Sequence, residues 1–176
     1  VAFPGKETGE VNIYHISDAK LITIKAHQSE LGGLALNRDG SLLATVSERG
    51  TLIRVFETKA GEAKFEFRRG TTLAKVNNLC FNTKSDLLCA TSYKGHDIGG
   101  TIHVYKLDEQ NQNKYYLKSF GFSGLDYSDA RIYLKQVTSP YLCGFDRNTN
   151  DLITLSYDGV CYRYTHGKKE TGTNSS

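Results

Sequence analysis

The sequence predicts an all-β fold: a WD40-like β-propeller of which this chain forms about half a ring, with two whole blades and two partial ones. Three observations predict it. Three stretches, Leu34 to Ser47, Leu79 to Ser92 and Leu142 to Ser156, each read as a strand, a polar turn and a second strand ending in serine. A further strand follows each of them, at Thr51 to Phe56, Thr101 to Tyr105 and Val160 to Tyr164. Ser47 and Ser92 stand 45 residues apart, the length of one WD-type blade.

The elements follow in order. Val1 to Phe3, Glu10 to Ile16 and Lys20 to Ala26 read as the last three strands of a blade whose first strand is missing. Blades end near residues 26, 70 and 137. Ser92 and Ser156 stand 64 residues apart, 19 more than the first interval. Part of the excess lengthens the turn at 94–100. Most forms an inserted loop at 109–129, between the third and fourth strands of the middle blade. The blade begun at Tyr141 has three strands, so the partial propeller runs over 1–166, and 167–176 is a polar tail read as disordered. Rings of this kind close with about 4–8 blades. Half a ring leaves strand edges unpaired, so the remaining blades are expected upstream or on another chain. The opening without Met, in the middle of an apolar run, fits a piece of a longer protein.

Composition narrows the function. Of 176 residues, 39% are hydrophobic and 23% charged, values of a soluble globular protein. No stretch is apolar for long enough to span a bilayer, and the N-terminus lacks a signal-peptide pattern. A net charge of +3 implies no general affinity for polyanions, so a basic function has to come from local clustering. Cys80, Cys89, Cys143 and Cys161 form no CxxC pair and lie in apolar runs. They read as buried free thiols in a reducing, intracellular setting, with no metal and no cofactor.

The local cluster is Phe67-Arg68-Arg69-Gly70. Adjacent residues on a strand point to opposite faces, so two arginines in succession can serve two neighbouring pockets. The guanidinium is a permanently charged planar fork suited to phosphate oxygens. By itself the tetrapeptide reads equally as an edge strand ending in solvated arginines.

The residues around it carry a resemblance. Ala26-His27-Gln28-Ser29-Glu30, the run from Ala44 to Phe56 that contains Ser47-Glu48-Arg49-Gly50-Thr51, Phe67-Arg68-Arg69-Gly70, and Gly100-Thr101-Ile102-His103-Val104-Tyr105 occur in one order. Together with Ala2-Phe3-Pro4-Gly5 and Tyr157 to Tyr164, that order resembles the PROPPIN family, the WIPI-type phosphoinositide-binding propellers of autophagy, over nearly all of 1–166. The resemblance implies the C-terminal half of a seven-bladed ring that binds phosphatidylinositol 3-phosphate and 3,5-bisphosphate at two rim pockets. By motif the first pocket uses His27, Ser47, Thr51, Arg54 and Arg68. The second uses Arg69, Thr72, Ser92, Thr101 and His103. Arg and His then supply charge-assisted donors, and the hydroxyls hold the remaining oxygens. His27 and His103 also fit structural histidines that bridge strands. Members of the family usually run from the serine straight through Lys-Gly-Thr. Here His96-Asp97-Ile98-Gly99 intervenes, which either occludes the second pocket or leaves it beneath a longer turn.

The loop 109–129 carries Tyr115, Tyr116, Leu117, Phe120, Phe122 and Leu125, with Lys114 and Lys118 beside them. Aromatics suit the membrane interface and lysines suit anionic headgroups. In the family this position carries a bilayer-dipping loop; folding back onto the blade is the other reading. The implied location is cytoplasmic, peripherally on endosomal, vacuolar or pre-autophagosomal membranes, with autophagy proteins as partners. A WD-repeat protein–protein interaction scaffold without lipid binding is the rival. Catalysis is disfavoured, because Asp39, Asp86, Asp146 and Asp158 all sit in turns beside Gly, Ser or Asn. Nucleic acid is not an expected partner, because the basic residues are scattered.

Overall fold

A computed structural model gives the fold. It describes residues 1–93, 100–108, 130–134 (backbone) and 140–165. The chain forms four antiparallel meanders, and each strand pairs with the one before it. The first sheet has β1 (Ala2–Pro4), β2 (Glu10–His15) and β3 (Lys20–Lys25). The second has β4 (Leu31–Leu36), β5 (Leu42–Ser47), β6 (Leu52–Glu57) and β7 (Ala63–Arg68). The third has β8 (Lys75–Phe81), β9 (Leu87–Tyr93), β10 (Gly100–Lys106) and β11 (Ala130–Leu134). The fourth has β12 (Tyr141–Phe145), β13 (Leu152–Ser156) and β14 (Cys161–Tyr164).

The sheets stack in sequence. The first strand of each four-stranded sheet packs on the first strand of the next, β4 on β8 and β8 on β12. These first strands also touch the second strand of the preceding sheet, β8 on β5 and β12 on β9. β1 stands against β4 in the same way, so it holds the second-strand place of its blade. The outcome is an incomplete β-propeller in which two four-stranded blades lie between two three-stranded sheets.

Strand alternation fills the seams between blades. Leu43 and Phe56 face the first sheet and meet Val11, Ile13, Ile24 and Ala26. Their neighbours Ala44, Val46, Ile53 and Val55 face the other way, with Phe65 and Phe67, and meet Val76, Leu88 and Tyr105 of the third sheet. The Phe67 and Tyr105 rings stack there with centroids 4.7 Å apart. Sheets buried on both faces need apolar residues at odd and even positions alike, and from Leu43 onward every residue of β5 is buried.

The hairpin between the first and second strands repeats in the second, third and fourth sheets. Asn37 N–H donates to Leu42 C=O, and its side-chain oxygen accepts from the Leu42 N–H at 2.9 Å. Asn82 does the same around Leu87. The last turn residue is in the left-handed region: Gly40 (φ 74°), Ser85 (φ 60°) and Asn150 (φ 62°). Each asparagine then reaches across to the turn of the next blade. Asn37 donates to Ser85 Oγ at 3.0 Å, and Asn82 to Asn150 Oδ1 at 2.9 Å. The four aspartates are likewise engaged in turns. Asp39 accepts from Ser41, Asp86 from Asn82, Asp146 from the N–H groups of Asn148 and Thr149, and Asp158 from the Ser156 hydroxyl.

The four cysteines are free, but not all are buried: Cys161 is exposed on β14. That strand has no outer neighbour among the described residues, and Cys161, Tyr162 and Arg163 are all exposed on it.

Asn82 is 2% exposed and holds both its own hairpin and the next blade. Asn82→Ala should therefore cost about 2 kcal/mol in urea unfolding, because it strands two turn N–H groups. Asn150→Gly keeps the left-handed backbone and loses only the cross-blade acceptor, so its cost should stay under about 1 kcal/mol.

Candidate functional site

The site begins with a backbone constraint. Gly9 and Gly50 occupy the same place in consecutive blades, in the turn before the third strand, with φ of +73° and +64°. A Cβ on Gly9 would lie 1.9 Å from the His27 carbonyl oxygen, and one on Gly50 would lie 1.9 Å from the Ala74 carbonyl oxygen. The segment joining one blade to the next thus crosses directly against this turn. The first crossing is sealed by Ala26 and His27 N–H groups donating to Gly9 C=O at 2.9 and 3.0 Å. It carries His27 past the ends of β5 and β6.

A pocket of about 300 Å³ opens at that crossing. Its lining includes His27, Ser47, Thr51, Arg54 and Arg68, all five residues of the first predicted set. Alternation explains the convergence. Val46, Ile53 and Phe67 face the third sheet, so Ser47, Arg54 and Arg68 face the first. Gln28, Ser29, Arg49, Leu52 and Thr71 complete the lining, positions that the blade repeat does not mark.

The two pocket arginines of the set differ in state. Arg54 is held on both sides: Nε donates to Glu66 Oε2 at 2.7 Å and a terminal nitrogen to the Ala26 carbonyl at 2.5 Å. It is a fixed positive wall. Arg68 has its Nε buried with no hydrogen-bond partner among the described residues. An unpartnered buried guanidinium N–H costs free energy that an anion in the pocket would recover.

His27 departs from the expectation of a charged donor. It is 4% exposed, and its Nε2 lies 3.0 Å from Thr45 Oγ1. Burial, followed by the positive Arg54, lowers its pKa to about 4, so the ring is neutral at pH 7. As the ring stands it is a strand-bridging histidine at the edge of an arginine-lined pocket.

The second predicted set comes from the next crossing, one blade on, where Ser92, Thr101 and His103 are joined by hydrogen bonds and Arg69 is joined to Thr72. Leu88 and Ala90 face the second sheet, so Ser92, two residues further, does too, and Thr101 is its cross-strand partner. Ser92 Oγ and Thr101 Oγ1 are 2.8 Å apart, and His103 Nε2 is 3.2 Å from Thr101 Oγ1. His103 holds the place in β10 that Arg54 holds in β6, which gives this crossing an imidazole in place of a guanidinium.

Arg69 follows the end of β7 and turns to the face opposite Arg68, but it is tied down. It is 4% exposed; Nε donates to the Gly50 carbonyl and a terminal nitrogen to the Thr72 carbonyl at 2.5 Å. Thr72 therefore meets Arg69 through its backbone oxygen, while its residue is exposed. Residues 94–99, the lengthened turn, lie outside the described residues, as do Tyr115, Tyr116, Leu117, Phe120, Phe122 and Leu125.

Fold and site together define an incomplete β-propeller with an arginine-walled pocket where two blades meet. A family model for PROPPIN matches residues 1–147, and the chain belongs to that family. Autophagy-related protein 18 of Aspergillus terreus is 41% identical over 108 residues, covering 61% of this chain and 25% of that protein. WD repeat domain phosphoinositide-interacting protein 1 of Xenopus laevis is 38% identical over 138 residues, covering 76% of this chain and 31% of that protein. The chain thus spans about a third or less of the length of these curated relatives. Among solved structures, Hsv2 of Kluyveromyces lactis superposes with a TM-score of 0.64 at 22% identity, covering 97% of this chain and 57% of that one. This likeness shows the fold.

The neutral His27 gives the fold an acid sensitivity. Its pKa is about 4 folded and 6.5 unfolded, so the unfolded chain binds the extra proton first as pH falls. Stability is complete above pH 6.5 and declines towards pH 4. Between pH 7 and pH 5 the wild type should lose about 2 kcal/mol more than His27→Gln in urea titrations.

Proposed function

We propose that this chain is the headgroup-reading part of an autophagy-related, membrane-recruited propeller that binds phosphatidylinositol 3-phosphate and 3,5-bisphosphate. The observation that carries the proposal is the pocket at the first crossing, where Arg68 offers a guanidinium N–H that has no partner among the described residues, beside a fixed Arg54 and the Ser47 and Thr51 hydroxyls. A phosphomonoester fits such a set, with charge-assisted bonds from the arginines and neutral donors for the remaining oxygens. The printed name of the Xenopus relative, a phosphoinositide-interacting protein, points the same way. The chain binds rather than catalyses on this reading, and it acts as an effector or scaffold that brings autophagy proteins to a cytoplasmic membrane surface.

The second crossing supplies a weaker site on this reading, read by Thr101 and His103 with Arg69 as its backbone anchor. The aromatic segment 109–129 adds apolar burial in the bilayer at about 25 cal/mol per Å². Engaging several weak contacts at once multiplies affinity. The rival reading, a scaffold that binds only proteins, draws on the propeller architecture itself.

Liposome flotation tests the proposal. Arg68→Thr is the informative variant, because Arg69 supports the Gly50 and Thr72 carbonyls and its loss would disturb the crossing. The chain should float with vesicles containing either 3-phosphorylated lipid and not with phosphatidylinositol alone, and Arg68→Thr should lose most of that binding. Undiminished flotation in Arg68→Thr would remove the pocket from the account. Absence of flotation by a folded chain would favour the protein scaffold.

A further inference from the structure

Three of the four cysteines meet in the seam between the third and fourth sheets. Cys80 and Cys89 are cross-strand partners in β8 and β9. Cys143 comes from β12, the first strand of the next blade. The three sulfurs lie within 4.8 Å of one another, and Cys80 Sγ and Cys143 Sγ are 3.6 Å apart. Cys89 is fully buried, Cys143 is 9% exposed and Cys80 is half-buried. Ile102, Tyr141 and Leu152 enclose the group, with Val104 and Phe145 packed against it. The polar neighbour is Asn78, whose Oδ1 accepts from both the backbone N–H and the Sγ–H of Cys143 at 2.9 Å.

The chemistry of this donor set is selective. An ion bonded at about 2.3 Å to three sulfurs in one plane needs them about 4.0 Å apart. The sulfurs here lie from 3.6 Å to no more than 4.8 Å apart, a range that contains this value. Hard cations want oxygen ligands, and structural zinc wants four donors. The cluster offers three thiols, with no imidazole or carboxylate among the described members of the group. Soft thiolates in a dry site favour Cu(I), which accepts three-coordination.

We propose that Cys80, Cys89 and Cys143 form a trigonal thiolate site for a soft d10 ion, Cu(I), spanning two blades. The ion enters already as Cu(I), so no electron is transferred. Each thiol that ligates as thiolate releases its proton to solvent. Cys80, the half-buried member, is the point of entry. Because Cys143 belongs to the next blade, the bound ion ties the two sheets together and stabilises the folded chain by mass action.

The test is an anaerobic titration of the reduced 176-residue chain with Cu(I) supplied as its bicinchoninate complex. The expected result is transfer of one Cu(I) per chain, with sulfur-to-copper charge-transfer absorption in the near ultraviolet and a higher melting temperature. Copper X-ray absorption should show three sulfur neighbours at a single distance. Cys80→Ser, chosen because Cys89→Ser would bury a hydroxyl in the core, should weaken binding at least about tenfold. Its circular dichroism should stay unchanged. Cys161→Ser should bind as the wild type does. The proposal is overturned if the folded, reduced chain leaves copper on the chelator, if Cys80→Ser binds equally well, or if the chain takes up Zn(II) in preference to Cu(I).

Discussion

The close crossing of an interblade segment against a glycine turn, at both crossings among the described residues, is the constraint on which the rest of the structure depends. At Gly9 and Gly50 the chain has no room for a Cβ, because the carbonyl of the passing segment occupies that volume. A left-handed glycine is the residue that meets both demands. The crossing fixes the relation of one blade to the next, and with it which strand ends face each other. The first crossing delivers His27 to the ends of β5 and β6. The second is sealed by Arg69, which binds the carbonyl of the crossing glycine itself. The arginine-lined pocket is thus a by-product of blade packing, lined by whatever side chains the crossing brings together.

Two adjacent arginines take opposite parts in this scheme. Strand alternation sends Arg68 to the pocket and Arg69 to the next seam. Arg68 keeps a buried N–H without a partner among the described residues, while Arg69 donates to two backbone oxygens. The same residue type therefore lines a pocket on one face and braces the backbone on the other. His27 shows a similar division. Its burial and the nearby Arg54 keep it neutral, against the opposing pull of the bond to Thr45, and leave the positive charge of the pocket to the arginines.

Much of this was legible in the sequence, for a physical reason. Strand, turn and strand repeat because each blade must bury both faces, and the same residue types recur at the same points. The first set of residues comes from the family resemblance. All five line one pocket because Ser47, Thr51 and Arg54 lie on one hairpin, Arg68 on the strand paired with it and His27 on the segment that crosses beside it. The charge state of His27 was not, because it depends on desolvation by a segment from another blade. The engagement of Arg69 was hidden for the same reason, since its acceptors are carbonyls that carry no sequence signal. The cysteine cluster was half visible. Cys80 and Cys143 stand one position apart in successive repeats, so Cys80 faces the following blade and Cys143 the preceding one, and the stacking of β12 on β8 brings their sulfurs together.

The asparagine of each hairpin turn has a consequence for how the blades are joined in series. Asn37 and Asn82 each donate forward to the following blade, so the polar links run in one direction along the arc. In the fourth sheet the equivalent turn position is Asp146, a carboxylate without an N–H to give. It turns inward, accepting from its own turn and lying 3.5 Å from Arg163, whose Nε pairs with Asp151. The forward relay therefore changes chemistry at the fourth blade. A neighbour that packs on that rim meets a hydrogen-bond acceptor where the two earlier junctions present a donor, so one blade sequence cannot substitute for another around the arc.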